Sequence, residues 1–350
     1  MAEPGAIARK RLRVVEIVRE TADTKSFVLE CIDGNIEYKA GQFLTFIFTR
    51  KNGEEVRRSY SISSSPQLDE PLTVTVKRIV NGEFSRYLND RVNAGDILQT
   101  IGASGFFVLP ERPENYRSII FMAAGSGITP VFSLIKTILK LHPSINVLLI
   151  YSNTSRENSI FVDELQELQR KYSDKLSIEF LFSRSADVLR SRLTTESLEI
   201  FMHNYKVSYE SETLFYVCGP NGYMRMITYR LTTLGVDAGR IKKEIFHVQH
   251  PKIVPEPPDT KSHTVMLIRN GETSSFNVQY PLTILQAAKL LDIHIPYSCE
   301  NGQCGTCVAK CLHGTVWMAQ NEVLLEEEIK NGSILTCTGY PVYGDVTIKI

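Results

Sequence analysis

The chain has 350 residues, 43% of them apolar and 22% charged, with a formal net charge of zero. That length suggests two or three domains, and the balance excludes a polybasic nucleic-acid or membrane binder. No segment approaches the roughly 20 apolar residues of a membrane span, and Met1 to Lys10 contain no apolar core of a signal peptide, so the sequence reads as cytoplasmic.

Residues 10 to about 110 carry short alternating runs, such as Phe43–Ile47 and Leu72–Val76, broken by Asp33-Gly34, Asn52-Gly53, Asn81-Gly82 and Ala94-Gly95-Asp96. Alternation with frequent turn residues predicts an antiparallel barrel or sandwich, with one short helix over about Ser85 to Asn89. From Ser118 the pattern changes. The runs Ile119–Met122, Val147–Tyr151, Ile178–Phe182 and Leu214–Val217 alternate with helical stretches at 131–141, 161–168 and 223–234. Strands alternating with helices predict a parallel, doubly wound sheet. Residues 250–259 then hold four prolines, an extended semi-rigid linker. The predicted organisation is a barrel over 1–110, an α/β domain over 111–249, a linker over 250–261 and a small α+β module over 262–350. That last module holds eight acids against five bases, leaving it at −3 and the remainder at +3.

Of seven cysteines, four crowd between Cys299 and Cys311. Clustered thiols in an odd total point to metal or redox chemistry rather than a disulfide framework. Cys299-x4-Cys304-x2-Cys307, with Cys337 thirty residues on, has the plant-type [2Fe–2S] spacing. Gly302 and Gly305 lie in the loop, where the missing Cβ permits positive φ and close approach to a cluster. A four-cysteine zinc site is the alternative, although such sites present paired short spacings and only Cys304/Cys307 form one here. Cys311 falls outside the pattern as a spare thiol, and Cys31 reads as a small core residue.

Two further segments suggest nucleotide chemistry. Arg58-Ser59-Tyr60-Ser61-Ile62-Ser63 combines a guanidinium that can pair with a pyrophosphate, an aromatic ring and hydroxyls, although such a serine-rich loop after a basic pair is more often a turn. Ala124-Gly125-Ser126-Gly127-Ile128-Thr129-Pro130 follows a predicted strand and opens a helix, a geometry that accepts a pyrophosphate; the G-x-G-x-x-G fingerprint itself is absent because Pro130 stands at the third glycine.

Together these motifs resemble the ferredoxin–NADP reductase superfamily with a C-terminal plant-type [2Fe–2S] ferredoxin domain. In the C-terminal module the resemblance rests on Ile295-Pro296-Tyr297-Ser298, the cysteine loop and Leu335-Thr336-Cys337. It implies a β-grasp fold there. The R-x-Y-S match implies that Arg58, Ser59, Tyr60 and Ser61 bind FAD, with FMN the alternative. Val76-Lys77-Arg78 and Gly82-Glu83-Phe84-Ser85 match the second flavin segment, with a helix N-terminus near Ser85, so Val76, Lys77, Gly82, Phe84 and Ser85 join the flavin set. Gly102–Phe107 matches the turn that closes the barrel. The G-x-G-I-T-P match assigns Gly125, Ser126, Gly127, Thr129 and Pro130 to the nicotinamide nucleotide. Cys218-Gly219-Pro220-x-x-x-Met224 matches the nicotinamide segment, with Cys218 beside the hydride-donating carbon. Ser183-Arg184 is similar to the pair that holds a 2′-phosphate, which favours NADPH over NADH. Glu244-Ile245-Phe246 matches an E-x-F segment whose carboxylate or aromatic ring lies near the flavin.

The implied chemistry has Ser61, Thr129 and Cys218 as the catalytic set. NAD(P)H gives up two electrons together and a [2Fe–2S] cluster accepts one, so a flavin between them is the usual converter. The domain order is similar to the reductase component of phenylacetyl-CoA epoxidase and related multicomponent oxygenases, and to hybrid-cluster-protein reductases. The implied partner is a protein electron acceptor, an oxygenase component, a hydroxylase or a desaturase. A non-catalytic redox sensor and the electron-transfer subunit of a larger enzyme are the readings from other classes.

Overall fold

A computed structural model describes residues 9–50, 52–246 and 254–350; the first part of the predicted linker, 250–253, lies outside the described residues. Residues 10–246 group into one compact unit and 254–350 into a second.

In the first unit, alternation puts Leu12 and Val14 inside while Arg11 and Arg13 face water, the period-two pattern of a half-buried strand. The strands β1 (Lys10–Thr21), β2 (Thr24–Cys31), β3 (Phe43–Thr49), β4 (Glu55–Ser61) and β5 (Thr73–Lys77) are followed by helix α1 (Glu83–Arg91) and β6 (Ile97–Ser104). They form one antiparallel sheet in the order β4-β3-β6-β1-β2-β5. Ile62, just past β4, bridges Val74 on β5, so the two edge strands meet and the sheet closes as a barrel. The helix starts two residues earlier than the sequence suggests and seals the barrel with Phe84 and Leu88. Cys31 sits half-buried at the margin of that core.

The second half of this unit runs β7 (Ser118–Ala124), α2 (Ile128–Leu141), β8 (Asn146–Asn153), α3 (Val162–Lys171), β9 (Leu176–Phe182), α4 (Thr195–Asn204), β10 (Thr213–Cys218), α5 (Asn221–Thr233) and β11 (Ile241–Glu244). All pairings are parallel, in the order β11-β10-β7-β8-β9. Apolar cores cover both faces, one under α2 and α3 and the other under α4 and α5, so the doubly wound α/β expectation holds. The order reverses between β7 and β10, which places a crevice outside their carboxyl ends.

The second unit comprises β12 (His263–Arg269), β13 (Glu272–Val278), α6 (Ile284–Leu290), β14 (Val308–Met318), α7 (Glu326–Lys330), β15 (Ser333–Leu335) and β16 (Gly339–Lys349). Its sheet has the order β13-β12-β16-β14-β15, with β12 and β16 parallel and the other pairs antiparallel. Asn270 and Gly271, both at positive φ, turn the first hairpin. A capping box between Thr283 and Gln286 starts α6, whose Ile284, Leu285, Ala287 and Ala288 pack on the sheet. Asp259 accepts hydrogen bonds from the backbone N–H groups of Lys261 and Tyr343 and lies 2.7 Å from His263 Nε2. These contacts tie the end of the proline-rich segment to the first and last strands. Among the described residues no helix is long and apolar enough to cross a membrane.

Candidate functional site

The crevice at the switch point gathers several of the sequence-derived residues. Strand β7 ends at Ala124, a 3-10 turn follows over Gly125–Gly127, and α2 begins at Ile128. Gly125 adopts φ +57°. A Cβ on Gly127 would stand 2.2 Å from the Cys218 carbonyl oxygen, so only glycine lets the loops after β7 and β10 approach this closely. Gly127→Ala is therefore expected to cost about 1–3 kcal/mol of stability and to slow flavin reduction by NAD(P)H; thermal melting and anaerobic stopped-flow absorbance check the two effects. Gly219 is similarly tight, with its Cβ position 2.9 Å from that of Ala124. Tyr151, which the sequence reading did not single out, steadies the first loop by donating to the Gly125 carbonyl at 3.2 Å. Thr129 is buried and donates to the Ser126 carbonyl at 2.9 Å, while Pro130 and Met224 lie in the interior. Gly219 and Pro220 reach the surface.

Cys218 is fully buried at the end of β10, level with Glu244 on the neighbouring β11. Burial first, and then the Glu244 carboxylate, push its thiol well above the usual range, so it stays protonated at neutral pH. Burial likewise pushes Glu244 up to about 8, partly offset by Ser61, whose hydroxyl donates to Glu244 Oε2 at 3.4 Å. Ser61 from the barrel, Glu244 and Cys218 from the parallel sheet, and the Gly127 turn leading to Thr129 thus form one continuous group. Phe246, two residues beyond Glu244, is exposed.

On the barrel, Tyr60 is half-buried among Phe46 and Phe84, with ring centroids 6.1 and 5.9 Å away. Arg58 projects outward, with Nη1 on the Arg57 carbonyl, and Ser59 shares a hydrogen bond with Thr45. An exposed cation beside a half-buried ring and inward hydroxyls fits a bound flavin nucleotide. The second flavin segment leads into the N-terminus of α1, whose N-cap residue is Gly82. Val76 and Phe84 lie in the barrel core, and Lys77 pairs with Asp23 at 3.5 Å. The Ser85 hydroxyl faces inward, accepting from Ile79 N–H and donating to the Gly82 carbonyl. It closes its own turn, and the uncapped helix N-terminus beyond Gly82 is what faces outward, next to the Arg50–Glu83 pair. Phe107 leaves the barrel to pack edge-on against Tyr216 at 5.1 Å in the α/β core.

Ser183 and Arg184 follow β9, their backbone N–H groups donating to the carbonyls of Asn153, the last residue of β8, and of Thr154 just after it. Arg184 is exposed. Glu157 lies near it, held below the usual carboxylate range chiefly by the Ser155 hydroxyl and further by Arg156 and Arg184.

In the second unit, Cys299 lies within hydrogen-bonding reach of Cys304 and Cys337, and Cys337 of Cys307. Backbone N–H groups of Asn301 and Gln303 point at the Cys299 sulfur, 3.4 Å away in each case, and that of Gly302 at the Cys337 sulfur at 3.3 Å. Glu300, Gly302 and Gly305 hold positive φ to bend the loop, and a Cβ on Gly302 would stand 2.6 Å from the Gln320 carbonyl oxygen. The four thiols lie in a chain of contacts, with backbone N–H groups aimed at two of the sulfurs, and could hold a [2Fe–2S] cluster. Cys307 and Cys337 are buried while Cys299 and Cys304 are partly exposed. Lys289 on α6 braces the loop, 3.0 Å from Glu300 and 4.4 Å above the Tyr297 ring. Cys311 stands apart on β14, its sulfur near the His313 carbonyl.

Fold and sites together define a nicotinamide-dependent flavoprotein with an attached plant-type ferredoxin domain. Family models agree segment by segment: an oxidoreductase FAD-binding domain matches residues 11–108, an oxidoreductase NAD-binding domain 121–228, and a 2Fe-2S iron-sulfur cluster binding domain 267–342. The chain is 31% identical to the ferredoxin reductase component of 3-ketosteroid-9-alpha-monooxygenase from Rhodococcus rhodochrous, covering 97% of this chain and 96% of that one. It is 30% identical to one of the subunits of 1,2-phenylacetyl-CoA epoxidase from Escherichia coli, over 96% of each. Phthalate dioxygenase reductase shares the fold, with a TM-score of 0.59 at 24% identity over 97% of both chains. The chain belongs to the ferredoxin–NADP reductase-type family of reductases with a C-terminal [2Fe–2S] domain. It is an NAD(P)H-dependent oxidoreductase that uses FAD and a [2Fe–2S] cluster.

Proposed function

We propose that the protein is an NADPH-preferring reductase whose electrons leave the ferredoxin domain for the oxygenase component of a multicomponent monooxygenase or epoxidase. Bound FAD and [2Fe–2S] supply the conversion of a hydride into single electrons; the chain's residues supply placement. The observation that carries this reading is the convergence of Ser61, Glu244 and Cys218 with the Gly125–Thr129 loop at the switch point. Ser61 orients the flavin edge that receives hydride, and the neutral Cys218 thiol and Thr129 line the nicotinamide side without adding charge. Arg58, Ser59 and Tyr60 hold the flavin nucleotide, helped by the backbone of Val76, Lys77, Gly82, Phe84 and Ser85. Gly125, Ser126, Gly127 and Pro130, with Gly219, Pro220 and Met224, shape the nucleotide crevice, and Glu244 with Phe246 closes its flavin side. Cys299, Cys304, Cys307 and Cys337 ligate the cluster.

The boundaries proposed for the parts are 1–110, 111–249, 250–261 and 262–350, supported by the three matched segments. A cytoplasmic location is supported by the odd cysteine total and the clustering of four thiols, which suit a reducing compartment. The oxygenase class of the acceptor is supported by similar identity to a steroid monooxygenase reductase and to an epoxidase component.

Anaerobic titration with NADPH and NADH in parallel, followed by absorbance and electron paramagnetic resonance, tests the reading. Flavin bleaching followed by a one-electron rhombic signal supports it; bleaching with no cluster signal overturns the electron route. Arg184→Ala is expected to weaken NADPH use about tenfold to a hundredfold, as loss of a charge-assisted contact does, and to leave NADH use unchanged. Equal effects on both cofactors would remove Arg184 from the 2′-phosphate site.

A further inference from the structure

Helix α2 is apolar except along one stripe. Val131, Phe132, Leu134, Ile135, Ile138 and Leu139 are buried in the α/β core, whereas Thr129, Ser133, Lys136 and Thr137 fall at helical spacing on one face. That face meets the barrel segment that directly follows Ser61. The Ser133 hydroxyl donates to the Ser64 carbonyl at 2.6 Å, and Thr137 shares a 2.7 Å hydrogen bond with Ser65. Lys136 Nζ lies 2.5 Å from Glu70 Oε2, with the two side chains only 15% and 29% exposed. The same Glu70 oxygen accepts the Ser65 N–H at 2.8 Å. Tyr38 shares a 2.8 Å hydrogen bond with the Ser64 hydroxyl, fixing the segment from the barrel side.

One end of this stripe is Thr129 and the Gly125–Gly127 turn; the segment it grips begins at Ser61. Apolar packing is non-directional and tolerates small slides, while hydrogen bonds and a shielded ion pair fix register. Hydride transfer needs the reacting atoms within about 3–3.5 Å, so a slide of α2 is felt as rate. We propose that Lys136 is a positioning residue for hydride transfer: its pair with Glu70, with the Ser133–Ser64 and Thr137–Ser65 hydrogen bonds, sets the gap between the nicotinamide loop and the flavin loop. This rests on the assignment of Ser61 and Thr129 to opposite sides of that gap.

The test is anaerobic stopped-flow reduction of the flavin in the full-length holoprotein, for wild type, Lys136→Met, Lys136→Arg and Ser133→Ala. Lys136→Met is expected to lower the limiting rate about tenfold to a hundredfold with little change in the NAD(P)H dissociation constant. The long-wavelength charge-transfer absorbance of the nicotinamide–flavin complex should shrink with it, and Lys136→Arg should restore both. Ser133→Ala, which leaves the ion pair intact and decides the matter if Lys136→Met does not fold, is expected to give a smaller loss of the same kind. Unchanged limiting rates and charge-transfer bands, with only a lower melting temperature, would overturn the proposal. Failure of NAD(P)H to bleach the wild-type flavin at all would instead overturn the assignment of the site beneath it.

Discussion

Cys304→Ser is expected to abolish cytochrome c reduction while leaving reduction of the flavin by NAD(P)H intact. Cys304 is one of four thiols drawn together by the bent loop, and its sulfur is within reach of Cys299 and 3.4 Å from the Thr306 hydroxyl. A serine hydroxyl stays protonated at neutral pH and is a harder, weaker ligand for iron than a thiolate, and four thiolates are what hold a plant-type cluster. Binding of such a centre is coupled to folding of its loop, so the substitution should cost cluster and local order together. The flavin and nicotinamide residues belong to the other compact unit, 10–246, and should not register the change. Loss of the cluster's visible absorbance and paramagnetic signal, with unchanged bleaching of the flavin, is the expected pair of readouts. Equal loss of both activities would sink the electron order from nicotinamide to flavin to cluster.

The second large effect is a pH-dependent stabilisation by Glu244→Gln. In the folded chain burial holds this carboxyl at about 8, against 4.5 for an ordinary glutamate. Between those values the unfolded chain has released the proton and the folded chain retains it, so stability falls as pH rises through that window. Relative to its high-pH limit, the contribution is fully present below about pH 4.5 and lost by about pH 8; at roughly 1.4 kcal/mol per unit it is of order 5 kcal/mol. Glutamine keeps an oxygen to accept from Ser61 and carries no charge. Thermal melts of the flavin-free protein should therefore show little difference between variant and wild type near pH 5, and a clearly higher midpoint for the variant near pH 8–9. A constant difference across that range would mean that Glu244 does not titrate as its burial implies. In the flavin-loaded protein the same substitution should flatten the alkaline limb of the flavin-reduction pH profile.

Both predictions concern residues that sequence and structure supply in different proportions. The cysteine set was legible from the chain alone because ligands of a compact cluster lie on one tight loop, where spacing stands in for geometry. The arrangement of barrel, parallel sheet and ferredoxin module was legible for a similar reason: alternation and helical periodicity are local signals, and Ile119–Met122 or Val147–Tyr151 each fall inside an observed strand. Helix α4 escaped notice because its buried positions, Leu198, Phe201 and Met202, make only a short stripe.

What only the tertiary structure decided is which of these local features meet. Ser61 and Glu244 lie 183 positions apart yet share a hydrogen bond, and the close approach behind Gly127 is to a carbonyl on another strand. Ser85 was legible as part of a helix N-terminus, and only the fold shows its hydroxyl closing the turn onto the Gly82 carbonyl. The polar stripe on α2 was not singled out in the sequence, because its meaning depends on the barrel segment that receives it. Local chemistry and periodicity are written in consecutive residues, whereas burial, which shifts a carboxyl or a thiol, and the pairing of distant loops arise only when the sheets close and pack.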